Sequence, residues 1–170
     1  MILSKQRDPR LVTIRRGGTL TDADHHLLAD WVTACATHVL HHFEAARPGD
    51  DRPRRAIELT HAWIRGEVPM KQAHDMAFVA NAAARDLTGA PKFAALSAGQ
   101  AVAVAHVAAH DLGAAAYAIR AAEAAAPEAE RETARRAECA WQRAQLPDAI
   151  RALVLDDQQQ RNAICWSVFD

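Results

Sequence analysis

Apolar residues recur along this chain at helical spacing, in blocks separated by proline, glycine or clustered polar residues. At about 100° per residue, Leu28, Trp31, Val32, Cys35, Val39 and Phe43 fall on one stripe, which predicts an amphipathic helix from about Asp22 to Glu44. Thr21 followed by Asp24 reads as a capping box with Asp in place of Glu, and Asp22 adds negative charge to the first turn. Arg47-Pro48-Gly49-Asp50-Asp51 is a turn, after which Asp50 or Asp51 caps a second helix with Pro53 in its first turn. That helix is expected to bury Ala56, Ile57, Thr60, Trp63 and Ile64 and to stop at Gly66. Pro69 opens a third, with Ala73, Ala77, Ala80, Ala84 and Leu87 inward, ended by Thr88-Gly89-Ala90-Pro91. The fourth runs from about Pro91 to Leu112; it is apolar nearly all round between Ala101 and Ala109, which predicts a central place.

Gly113 ends or kinks that helix, and Ala114 to Ala126 continues as a fifth until Pro127. Glu128 to Gln145 is the most charged, with Glu132 and Arg136 spaced for an i,i+4 pair and Trp141 as apolar anchor. Pro147 starts the last helix, to about Asn162. The tail Ile164-Cys165-Trp166-Ser167-Val168-Phe169 carries two rings and is expected to dock back on the body. Residues 1 to 18 read as an extended arm: Asp8-Pro9 favours a turn, Leu11, Val12 and Ile14 lie against the body, and Gly17-Gly18 breaks the chain. The expectation is an all-α, single-domain bundle of about six to seven helices, with the arm over 1–18 and the bundle over 19–170. The segment Ala62-Trp63-Ile64-Arg65-Gly66-Glu67-Val68-Pro69 is echoed by Ala140-Trp141-Gln142-Arg143-Ala144-Gln145-Leu146-Pro147, either by duplication or by chance in an alanine-rich chain.

Composition sharpens this picture. The 170 residues fit one domain, which at this size buries roughly 70% of its unfolded surface. Half the residues are hydrophobic, but the excess is alanine: four Trp, four Phe and one Tyr are the only large rings, so closely packed helices are expected. Twenty basic and 21 acidic side chains give a formal charge of −1, which offers no field to concentrate nucleic acid or anionic lipid. The local exception is the arm, where Lys5, Arg7, Arg10, Arg15 and Arg16 face only Asp8. The first twenty residues lack a signal-like apolar run and no stretch has the length for a membrane span, so a cytoplasmic protein is expected. There Cys35, Cys139 and Cys165 stay reduced, and their scatter makes neither a disulfide framework nor a paired zinc motif.

Among candidate chemistries, Cys35, His38 and His42 share a narrow helical sector, and two imidazoles at i,i+4 can share a metal ion. A fourth ligand is missing, and a packing role explains the same residues. His106 and His110 repeat the spacing beside Asp111, without the inward glutamates of a di-metal bundle. No serine sits in a nucleophile elbow, and no phosphate-binding glycine loop is present. The expected cofactor is none and the protein is not expected to be an enzyme. Asp50-Asp51-Arg52-Pro53-Arg54-Arg55 is a dense zwitterionic run at a helix start. It reads either as capping plus a solvated basic face or as a partner-binding rim made of Asp50, Asp51, Arg52, Arg54 and Arg55.

The chain resembles an all-helical, immunity-five-like family of bacterial immunity proteins associated with polymorphic toxin systems. The likeness rests on Asp8-Pro9-Arg10-Leu11-Val12-Thr13-Ile14-Arg15-Arg16-Gly17-Gly18, on Trp31, Cys35, His38, Val39 and Leu40, on Arg52-Pro53-Arg54 with Ala56-Ile57-Glu58, on Trp63 with Gly66-Glu67, and on Gly113-Ala114-Ala115-Ala116-Tyr117-Ala118. It implies a protein that binds a cognate toxin protein and blocks it without chemistry, and the charge balance leaves no nucleic-acid or membrane partner expected beside it. The charge balance argues against mimicry of nucleic acid toward a nuclease toxin. Two alternatives remain: a small metal-dependent helical-bundle enzyme using Cys35, His38 and His42, and a helical scaffold or assembly module. Association into a homo-oligomer is left open.

Overall fold

The computed structural model describes residues 3, 4 and 6–170, so Lys5 of the basic arm lies outside the described residues. Seven α-helices follow one another: α1 Asp22–Ala46, α2 Arg52–Ile64, α3 Met70–Ala83, α4 Gly89–Ala103, α5 Asp111–Ala125, α6 Arg131–Ala144 and α7 Asp148–Arg161. No strand occurs among the described residues; one isolated bridge joins Thr13 to Leu20. The Thr21 cap forms, with the Asp24 amide donating to Thr21 Oγ1 at 3.0 Å, while the Asp24 carboxylate accepts from the Thr21 hydroxyl at 2.7 Å rather than from its backbone amide as a full capping box would. The whole predicted stripe of α1 is buried, from Leu28 to Phe43. Each large apolar side chain so buried contributes about 1.5–3 kcal/mol.

Neighbouring helices alternate in direction, as short connections require. Glu44 meets Arg54, Asn81 faces Gly99, Ser97 bonds Ala114 and His38 bonds Glu138. One end of the bundle therefore gathers the C-termini of α1, α3 and α5 with the N-termini of α2, α4 and α6. α4 packs on α1, α2, α3 and α5, the central place its apolar surface predicts.

The fourth helix is shorter than expected. It ends at Ala103, the chain turns through Val104–Val107, and a 3₁₀ turn at Ala108–His110 leads into α5. Gly113 thus lies inside α5 and neither ends nor kinks a helix. Its role is close approach: a Cβ there would come within 2.7 Å of Gln100 Oε1 on α4.

The arm does not run extended throughout. It folds into 3₁₀ turns at Pro9–Leu11 and Ile14–Arg16, seating Leu11 in the core while Ile14 stays 61% exposed. The tail docks as expected, burying Cys165, Val168 and Phe169. Its turn places Trp166 and Ser167 at φ 59° and 54°, a left-handed conformation costing roughly 1–2 kcal/mol per non-glycine residue. Arginines of α6 hold it there: Arg135 donates to the carbonyls of Val168 at 2.8 Å and Asp170 at 3.0 Å, and Arg143 to that of Phe169 at 2.7 Å.

α7 is fixed by a buried charge cluster. Arg161 donates to Asp157 Oδ1 at 2.6 Å, to Asp111 Oδ1 at 2.7 Å and to the Ala109 carbonyl at 2.8 Å. Burial raises the Asp111 pKa to about 6, against the pull of Arg161.

Candidate partner-binding surface

The α1–α2 corner is built by its own charges. Asp50 accepts from the Arg52 backbone amide at 3.2 Å and from Arg52 Nε at 2.8 Å, and this guanidinium holds the Asp50 carboxyl below its usual range. Arg54 reaches back to Glu44 of α1 at 2.6 Å. These pairs fix the corner and occupy three of the five residues singled out as a rim. Asp51 and Arg55 are exposed and have no ion-pair partner among the described residues.

Arg55 borders a groove of ≈ 240 Å³ between α2 and α3, lined also by Leu59, Gln72, Asp75, Met76 and Val79. Beside it Phe78 is 66% and Val79 42% exposed, while α3 turns its alanines inward. These two side chains leave apolar area in solvent beside the charged corner, which makes this face the candidate contact surface. The sequence reading reached the charged rim and missed the apolar strip. Phe78 and Val79 fall between the predicted inward positions Ala77 and Ala80 of α3, and large apolar residues off the inward face are the signal that could have found them.

The candidate metal residues separate into different environments. Cys35 is fully buried, and burial pushes its thiol well above the usual range, against nucleophilic use. His38 donates from Nδ1 to Glu138 Oε2 at 2.8 Å and stacks on Trp141 with centroids 3.8 Å apart. Within α6 Glu138 also accepts from Gln142 Nε2 at 2.9 Å, and Trp31 Nε1 donates to the Gln142 carbonyl at 2.9 Å, so this seam joins α1 to α6. His42 lies against His41, its pKa lowered by burial. His106 sits in the turn after α4 with Nδ1 3.3 Å from Met70 Sδ, and His110 donates to Gln100 Oε1 at 2.7 Å. Burial drives the His110 pKa down to about 4. Among the described residues no three His, Cys, Asp or Glu side chains are grouped so as to hold a metal ion. The echoed tryptophans both pack on α1 histidines, Trp63 edge-on to His25 and His26 and Trp141 stacked on His38.

The profile of the family described as "Imm-5 like putative immunity protein" matches residues 18–149, well over half of the chain. The chain belongs to that family. Membership agrees with the all-helical architecture and with the resemblance carried by Trp31, Cys35, His38, Trp63 and the Gly113–Ala118 segment. No curated protein and no solved structure matches the chain. No helix among the described residues is long and apolar enough to cross a membrane.

Proposed function

We propose that this protein is a non-catalytic immunity protein that binds a cognate toxin domain in the cytoplasm and blocks it stoichiometrically. The family match over 18–149 carries the reading. The contact surface in this reading is the α1–α2 corner with the adjoining strip: Asp51 and Arg55 supply accessible charge, and Phe78, Val79 and the partly buried Leu59 supply apolar area. Binding through such a surface needs a few well-placed anchors and no reacting groups. The paired Asp50, Arg52 and Arg54 pre-organise the corner, so little side-chain freedom is lost when a partner arrives.

Coexpression with the cognate toxin domain tests the proposal. Wild type restores growth, as do Cys35→Ala and His38→Ala, while Phe78→Asp combined with Arg55→Glu abolishes protection with the protein still folded. Loss of protection in Cys35→Ala or His38→Ala, with full protection by the strip variant, overturns it.

A further inference from the structure

The same end of the bundle carries a second feature that the corner does not use. Three segments far apart in sequence bring together Phe93 of α4, Tyr117 and Arg120 of α5, and Trp166 of the tail. The Arg120 guanidinium lies 4.2 Å from the Phe93 ring centroid and 4.4 Å from that of Trp166, between the two rings. Tyr117 completes the cluster, its ring 5.1 Å from Trp166. Trp166 remains 44% exposed even though the tail around it is docked.

A guanidinium carries five N–H donors, and contact with two aromatic rings restrains the side chain without satisfying any of them. Among the described residues nothing accepts a hydrogen bond from Arg120 and no carboxylate pairs with it. The adjoining cavity, ≈ 400 Å³, is lined by Thr88, Gly89, Lys92 and Leu96 together with Phe93, Tyr117 and Arg120 of the cluster, so it adds a second cation and no described acid. A planar fork held rigid by aromatic rings, beside a lysine, is complementary to a carboxylate. Trp, Tyr and Arg are also the side chains that dominate binding energy at protein interfaces.

We propose that Phe93, Tyr117, Arg120 and Trp166 form an anchor that captures an aspartate or glutamate side chain of the toxin domain. This rests on the toxin-binding reading above and adds to it a site and the chemistry of the group it takes. The stacked arginine is ordered before the partner arrives, so its capture of a carboxylate costs little rotamer freedom. The alternation of helix directions puts this anchor and the α1–α2 corner at one end of the bundle, where a single partner covers both.

The test is isothermal titration of the purified toxin domain with wild type, Arg120→Gln, Arg120→Lys, Trp166→Ala and Lys92→Glu, each checked for fold by circular dichroism. Arg120→Gln and Trp166→Ala are expected to raise Kd roughly 30-fold or more. Arg120→Lys fails nearly as badly, because an ammonium cannot reproduce the fork. Lys92→Glu slows association and weakens binding less. Tight binding by wild type with unchanged Kd for Arg120→Gln and Trp166→Ala overturns the anchor and leaves the immunity reading standing; no binding by wild type overturns both. Light scattering that shows a wild-type dimer lost in Trp166→Ala makes the occupant a second copy and overturns the proposal. So does a 12-nucleotide single-stranded DNA probe bound by wild type and released by Trp166→Ala.

Discussion

Replacing Arg161 with methionine keeps most of the stem volume and removes the cation held between two buried carboxylates. Asp111 and Asp157 are 0% and 2% exposed, and Asp111 Oδ2 has no hydrogen-bond partner even with Arg161 in place. Breaking a buried ion pair from one side costs about 3–5 kcal/mol, because the charge left behind is neither paired nor hydrated. For a chain of this length that corresponds to a melting temperature lower by roughly 6–20 °C. The pH dependence adds a signature. The folded-state pKa of Asp111 is raised to about 6 from an ordinary 3.8, so its protonated form suits the fold and its stabilising contribution is lost as pH rises through 6. Without Arg161 that pKa rises further, so the deficit of Arg161→Met is largest at pH 8 and shrinks toward pH 5. Urea unfolding followed by circular dichroism at the two pH values measures it, and adding Asp111→Asn and Asp157→Leu to the variant recovers most of the loss. A variant within about 1 kcal/mol of wild type at pH 8, or a deficit that grows in acid, refutes this account of how α7 is held.

Three further outcomes follow from the geometry. His110 is kept neutral by burial, its pKa about 4 against 6.5, so wild type loses stability as pH falls from 6.5 through 4 by on the order of 3 kcal/mol, partly offset by Asp111. His110→Gln, which cannot charge, shows a flatter acid limb in a pH series of urea midpoints. Gly99→Ala places a Cβ 2.3 Å from Asn81 Oδ1 and 3.3 Å from the Asn81 backbone nitrogen, and the overpacking costs about 1–3 kcal/mol in thermal unfolding. Arg135→Met releases the tail carbonyls of Val168 and Asp170, so carboxypeptidase trims the C-terminus of the variant under conditions that leave wild type intact.

What the sequence made legible was whatever repeats at short range. The α1 stripe, the Thr21 cap, Pro53 in the first turn of α2 and the central place of α4 all follow from spacing within one helix, and the fold has each of them. The break after Ala103 was not legible, because Val104-Ala105-His106-Val107 contains neither glycine nor proline. Gly113 misled for the matching reason: it serves the packing of α5 on α4, which local sequence does not reveal. The charged corner could be seen as a run, but not that Arg52 and Arg54 are committed to Asp50 and Glu44. Pairings across the fold were beyond a linear reading altogether. Glu138 lies 100 residues from His38, and the rings around Arg120 come from positions 93 and 166.

The measurement that bears most directly on the central claim is titration of the toxin domain's activity with this protein. Stoichiometric blockade predicts that residual activity falls in proportion to added protein and reaches baseline near one molecule per toxin, with full activity returning when the complex is dissociated. Lasting inactivation of many toxin molecules by each molecule of this protein would mean that it acts as a catalyst, and would contradict the account.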